Sequence, residues 1–135
     1  MSSGDAAPSD AVEATIARLT AHKNVQGVLI LARDTGIIIR SAGTLFAVPP
    51  APATAPVSED ADGVINGAAV TVSFSETARA YAKAARALVE SVGSEVARLE
   101  DGDDLKFMRL RTRKHELIVT PDSLYILVVV QDPTT

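Results

Sequence analysis

The spacing of hydrophobic residues along this chain changes several times, and each change marks an element. After the small and polar residues 1–8, Val12, Ile16 and Leu19 recur at steps of four and three, which places them on one face of a helix. Ser9 or Asp10 can cap its start, and His22-Lys23 put cations at the negative end of its dipole before Asn24 breaks it. Val25 to Ala32 and Ile37 to Ser41 are aliphatic runs on either side of Arg33-Asp34-Thr35-Gly36, the pattern of a β-hairpin. A long helix is expected over roughly residues 74–100, opened by the capping-box spacing of Ser73-Phe74-Ser75-Glu76 and stopped by Asp101-Gly102-Asp103-Asp104. Three more runs follow, Leu105–Arg111, Glu116–Thr120 and Leu124–Val130, joined by Thr112-Arg113-Lys114-His115 and by Pro121-Asp122. The expected order is helix, two strands, long helix, three strands.

The runs differ in how they expect to be covered. A strand buried on one face alternates apolar and polar residues, whereas Leu124 to Val130 is continuous, so it should be a central strand covered on both sides. Val28 to Ala32 has the same character and suits a neighbouring position. The run at 105–111 carries Lys106, Arg109 and Arg111, which suits an edge, where another chain can add strands. Between the hairpin and the long helix, residues 43–73 hold prolines at 49, 50, 52 and 56 and the acidic Ser58-Glu59-Asp60-Ala61-Asp62, the composition of a surface loop. Closing so long a loop costs little more than closing a shorter one, because the entropy grows with the logarithm of its length. The expected organisation is a disordered tail at 1–8 and one domain over 9–135 with a loop insertion at 43–73.

On the long helix, Ala78, Ala82, Ala85, Val89, Val92, Val96 and Leu99 form a seam at alternating steps of four and three, widened by Tyr81 and Leu88. Arg79, Lys83 and Arg86 fall together on another side. Two readings stand for the seam: it packs on the chain's own sheet, or its alanines admit a second helix in a dimer.

Composition narrows the function. Hydrophobic residues make up 47% of the chain but aromatic ones only 4%, so aliphatic side chains must fill the core. A formal net charge of −4 argues against a general nucleic-acid binder. The chain has no cysteine, which removes disulfides, thiol catalysis and thiolate metal sites together. No apolar run approaches the roughly 20 residues of a spanning helix, and the start lacks a secretory signal, so a cytoplasmic protein without membrane insertion is expected. His22 and His115 read as solvated surface histidines, and Asp101, Asp103 and Asp104 as a helix stop, since the rest of an EF-hand pattern is missing. Gly63-x-x-x-Gly67 has no transmembrane helix around it and carries no weight. No catalytic, cofactor or metal site is expected, and hence no enzyme. The basic group Lys106, Arg109, Arg111, Arg113 and Lys114 either keeps an edge strand soluble or meets an acidic partner segment.

These residues also carry a resemblance. Ile16 to Leu19 followed by Lys23-x-Val25-Gln26-Gly27-Val28, then Gly36-Ile37-x-Ile39-Arg40-Ser41, and above all Asp104-Leu105-x-Phe107-x-Arg109-Leu110-Arg111-x-Arg113-Lys114-x-Glu116-Leu117-x-Val119-x-Pro121-Asp122 with the ending Val130-Gln131-Asp132-Pro133-Thr134, resemble the roadblock family of cytoplasmic dynein light chains. The resemblance implies an α+β, roadblock/profilin-like fold, a five-stranded antiparallel sheet between helices. It implies homodimers with long helices side by side, at Ala78, Tyr81, Ala82, Ala85, Val89 and Val92, and with third strands paired at Phe107, Met108, Arg109, Leu110 and Arg111. It further implies a light chain that binds the disordered N-terminal region of the dynein intermediate chain and, through it, serves heavy-chain assembly, cargo attachment and microtubule-based transport. Partner contacts would fall on Val12, Ile16, Leu19, Arg109, Arg111 and Lys114. The alternative is a regulator or scaffold of a small GTPase, a role that other roadblock-fold proteins have. The loop at 43–73 is far longer than in the family's animal members and points to a divergent eukaryotic lineage.

Overall fold

In the computed structural model the described residues are 8–48 and 73–133. Helix α1 spans Pro8–Thr20, β1 Val25–Ala32, β2 Ile38–Ala42, a single 3-10 turn Thr44–Phe46, α2 Glu76–Leu99, β3 Met108–Arg111, β4 Glu116–Pro121 and β5 Tyr125–Gln131. The strands form one antiparallel sheet in the order β2-β1-β5-β4-β3. The C-terminal run is therefore the central strand, with β1 beside it and the basic run at one edge, as its continuous hydrophobicity demanded.

Register turns the sequence runs into layers. Leu29 lies opposite Val128, Val128 opposite Val119, and Val119 opposite Met108, so one row of aliphatic side chains crosses four strands. This row, with Leu31, Ile126 and Val130, packs under Ala78, Ala82, Ala85 and Val89 of α2. On the opposite face Val28 and Ile30 are covered by Ile16 of α1, with Val12, Leu19, Ile39 and Leu127 around them. Small residues on α2 let its axis come close to the sheet, and the branched strand residues fill the space beneath.

Several boundaries depart from expectation for local reasons. α1 begins at Pro8, so Ser9 and Asp10 lie inside the helix rather than capping it. The cap of α2 is Ser75, whose hydroxyl accepts from the Ala78 backbone N–H at 3.0 Å. With Ser75 as cap, the reciprocal carboxylate position is filled by Ala78, so no capping box forms from Ser73. Strand β3 is shorter than the 105–111 run. Leu124 is not part of the dry run: the Asp122 carboxylate accepts from the backbone N–H groups of Leu124 and Tyr125 at 2.8 and 2.7 Å, and this tight turn leaves Leu124 65% exposed.

The larger correction concerns residues 43–48, expected to belong to a loop. Gly43, at φ 95°, starts the 3-10 turn, and Phe46 is buried in the α2-side core, edge-on to Tyr81 with ring centroids 5.3 Å apart. The remainder of the proposed loop, 49–72, and the tail through residue 7 lie outside the described residues.

Phe46 explains a glycine. A Cβ on Gly27 would sit 2.5 Å from Cε2 and 2.6 Å from Cδ2 of that ring. The Gly27→Ala variant is expected to lose about 1–3 kcal/mol of stability by overpacking, measured by urea denaturation. In a Phe46→Leu background the same methyl should cost clearly less; an equal cost in both backgrounds would show that Gly27 is not there for the ring.

Candidate interaction surface

Among the described residues strand β3 has a neighbour on one side only, which makes it an edge strand to which another strand can add. Met108 packs toward α2, and Leu110, two residues on, shares that face, while Arg109 and Arg111 point to the other. Phe107, just before the strand, is 60% exposed. Above this edge runs one flank of α2. Tyr81, Leu88, Val92 and Leu99 recur at helical spacing, the first three half-buried and Leu99 85% exposed. Tyr81 is edge-on to His115 at 6.3 Å, beside the start of β4, which places this flank over the β4–β3 side of the sheet. An open strand edge and an apolar helix flank thus lie on the same side of the molecule.

The structure divides the expected dimer residues. Ala78, Ala82, Ala85 and Val89 are buried against the chain's own sheet and have no surface left for a second helix. The first reading of the seam holds for them: a stripe of small residues admits a sheet as readily as a helix. Tyr81 and Val92 remain accessible, and Leu88 and Leu99 join them. Phe107, Met108, Arg109, Leu110 and Arg111 lie on or beside the edge strand. Of the residues expected to meet a partner, Ile16 is buried and Val12 and Leu19 pack around it, so these three hold α1 on the sheet. Arg111 and Lys114 are exposed.

Arg109 is engaged within the chain. Glu116, only 5% exposed, accepts from Arg109 Nε at 2.5 Å through Oε2 and from Gln131 Nε2 at 3.1 Å through Oε1. This links β3, β4 and β5 across one face. The hydrogen bond from Arg109 holds the Glu116 carboxyl below its usual range, helped by Gln131 and by the charges of Arg109 and Arg111, with burial acting the other way. The same bond, with the carboxylate charge, raises Arg109 above its ordinary value. His115 is likewise no free surface group. Its Nδ1 lies 2.9 Å from Gln26 Oε1, and Gln26 Nε2 donates to Asp132 at 2.5 Å, so the turn before β4 is pinned to the end of the β1–β5 pair where β1 starts and β5 stops.

Because the folded carboxyl titrates below its unfolded value near 4.5, its stabilising contribution is fully present above that pH and is lost as pH falls through the folded value. Glu116→Gln should therefore melt below wild type at neutral pH, with the gap closing as the pH is taken below 4.5. A constant gap across that titration would show that the charge of Glu116 does not contribute.

Comparison with known proteins places this geometry. A family model described as the Roadblock/LC7 domain matches residues 60–132, which include α2 and the last three strands. Among solved structures, Myxococcus xanthus MglB is similar with a TM-score of 0.60 at 20% identity, over 93% of this chain and 79% of that one. A Roadblock/LC7 domain from Streptomyces avermitilis gives 0.58 at 17%, over 87% and 74%. An MglB with a tetrameric arrangement gives 0.55 at 16%, over 92% and 71%. At such identities these likenesses speak to the fold, and the fold they share includes the α1 and hairpin region that the family model leaves unmatched. With more than half of its length matched by the family model, the chain belongs to the Roadblock/LC7 domain family.

Proposed function

We propose that this chain is a non-catalytic, homodimeric interaction module that regulates or scaffolds a small GTPase. The observation that carries the dimer is the coincidence of the open β3 edge with the apolar flank of α2. Two copies related by a two-fold axis can pair their β3 strands into one continuous sheet while Leu88, Val92 and Leu99 meet across the axis, so both exposed features are covered by one operation. The tetrameric MglB among the similar structures supports self-association as a habit of the fold. The solved structures compared above are MglB and Roadblock/LC7 proteins rather than dynein light chains, and on that ground the GTPase role of roadblock-fold proteins is ranked over the light-chain role. The intermediate-chain reading ranks second and rests on the residues of the 104–134 block.

Two experiments test this proposal. Light scattering of the wild type should give twice the chain mass, and Leu88→Glu with Val92→Glu should give the single-chain mass with a native circular dichroism spectrum. Bulky substitution at Ala82 and Ala85 should instead destabilise the monomer itself by about 1–3 kcal/mol or more, since those positions are core. A wild type that stays monomeric at every concentration removes the dimer.

For the partner, immobilised chain should retain a small GTPase from the same source in a manner that depends on whether GDP or a GTP analogue is bound. Capture of an intermediate-chain N-terminal peptide, with no nucleotide-dependent GTPase retention, would reverse the ranking.

A further inference from the structure

The other flank of α2 carries a different surface. Between it and the β1–β2 turn lies an open cleft of about 530 Å³, lined by the apolar Ile37, Ile38, Phe74 and Ala82 and by the charged Arg79, Lys83 and Glu90. Arg86 also lines it but is engaged: Nε and Nη2 donate to the backbone carbonyls of Arg33 and Asp34 at 3.3 and 2.7 Å, and Nη2 lies 3.3 Å from Glu90. The turn is thereby clamped to the helix, and Gly36, at φ 79°, leaves room for the Arg86 stem, 2.7 Å from where a Cβ would stand. The cleft is a held shape, not a gap between loose parts.

Two features mark it as a binding surface. Ile37 is 64% exposed at the mouth, so part of its apolar lining faces water. Arg79 and Lys83, one helical turn apart and exposed, make no ion pair among the described residues, although the chain as a whole is acidic. We infer that this cleft docks an acidic peptide segment of a partner protein, seating one bulky apolar side chain on Ile37, Ile38 and Phe74 while flanking carboxylates pair with Arg79 and Lys83. Charge complementarity selects the acidic segment, and the concave apolar lining selects a protruding side chain over a flat anionic membrane. The cleft lies on the flank of α2 away from the β3 edge, so its occupancy does not depend on the proposed dimer or on the identity of the GTPase.

The test uses the full chain and a fluorescein-labelled peptide with a central Leu-Phe pair flanked by Asp and Glu, followed by anisotropy. Wild type should bind it with a strong salt dependence and should bind the Lys-flanked analogue at least tenfold more weakly. Arg79→Glu with Lys83→Glu should cost about tenfold at low salt, and Ile37→Ser severalfold, with circular dichroism melting curves close to wild type, because all three side chains are exposed. Equal binding of the two peptides, or undiminished binding by either variant, overturns the proposal. So does co-sedimentation with phosphatidylserine vesicles that is lost in the Arg79/Lys83 variant while peptide binding is not. The chain's own acidic stretch would be the occupant, against this inference, if changing Glu59, Asp60 and Asp62 to Ser raised peptide affinity many-fold.

Discussion

Tyr125–Gln131 has to be kept from water on both faces, and the architecture is arranged around that requirement. A run such as Ile126-Leu127-Val128-Val129-Val130 has no polar side to offer solvent, so it can be a strand only with neighbours on both edges and a layer above and below. β1 and β4 supply the edges, α2 one layer, and α1 with Ile16 the other. A final strand that pairs with the second element of the chain also closes the fold at long sequence separation, which commits both ends of the domain to one core.

Covering the sheet on the α2 side has consequences for the rest of that helix. Ala78, Ala82, Ala85 and Val89 bring the helix axis close, and the aromatic volume that the core otherwise lacks comes from Phe46, seated against Gly27 and Tyr81. With the inner face of α2 consumed in this way, its two flanks are what remain for other molecules, and they differ in chemistry. One is aliphatic and stands over an unpaired strand edge. The other is basic and borders a cleft. In the proposed arrangement a single helix serves self-association and partner capture without competition between them.

The sequence made the strands legible because strand burial is written in consecutive residues: a continuous run means two covered faces, and Arg109 and Arg111 in alternation mean an edge. It made the inner face of α2 ambiguous, because alanine at steps of three and four is equally good against a sheet or a helix, and only the register of Leu29, Val128 and Val119 beneath it decides between them. Phe46 was hidden for a related reason. It stands next to prolines in a stretch whose composition reads as loop, and nothing local says that Gly27, distant in sequence, leaves room for a ring. The Glu116 cluster was invisible as well, since Arg109 and Glu116 meet only through the β3–β4 register and Gln131 only through β4–β5.

The same reasoning explains why the fold could be named from sequence and the partner could not. The block from Asp104 to Thr134 that carried the family resemblance encodes β3, β4 and β5 and the turns between them: the edge strand, the Thr112–His115 turn, the Asp122 turn and the central run. Most of the described residues of that block pair strands, make turns or fill the core, so any protein built on this sheet needs something close to them whatever it binds. Residues that would choose between a GTPase and a dynein subunit must lie where the fold makes no demand, on the outer flanks of α2, the outer side of β3 and the surface around the cleft. There the chain presents Leu88, Leu99, Arg79, Lys83 and Ile37, none of which its own core requires. Partner identity is therefore a question for those positions, not for the strands that made the family recognisable.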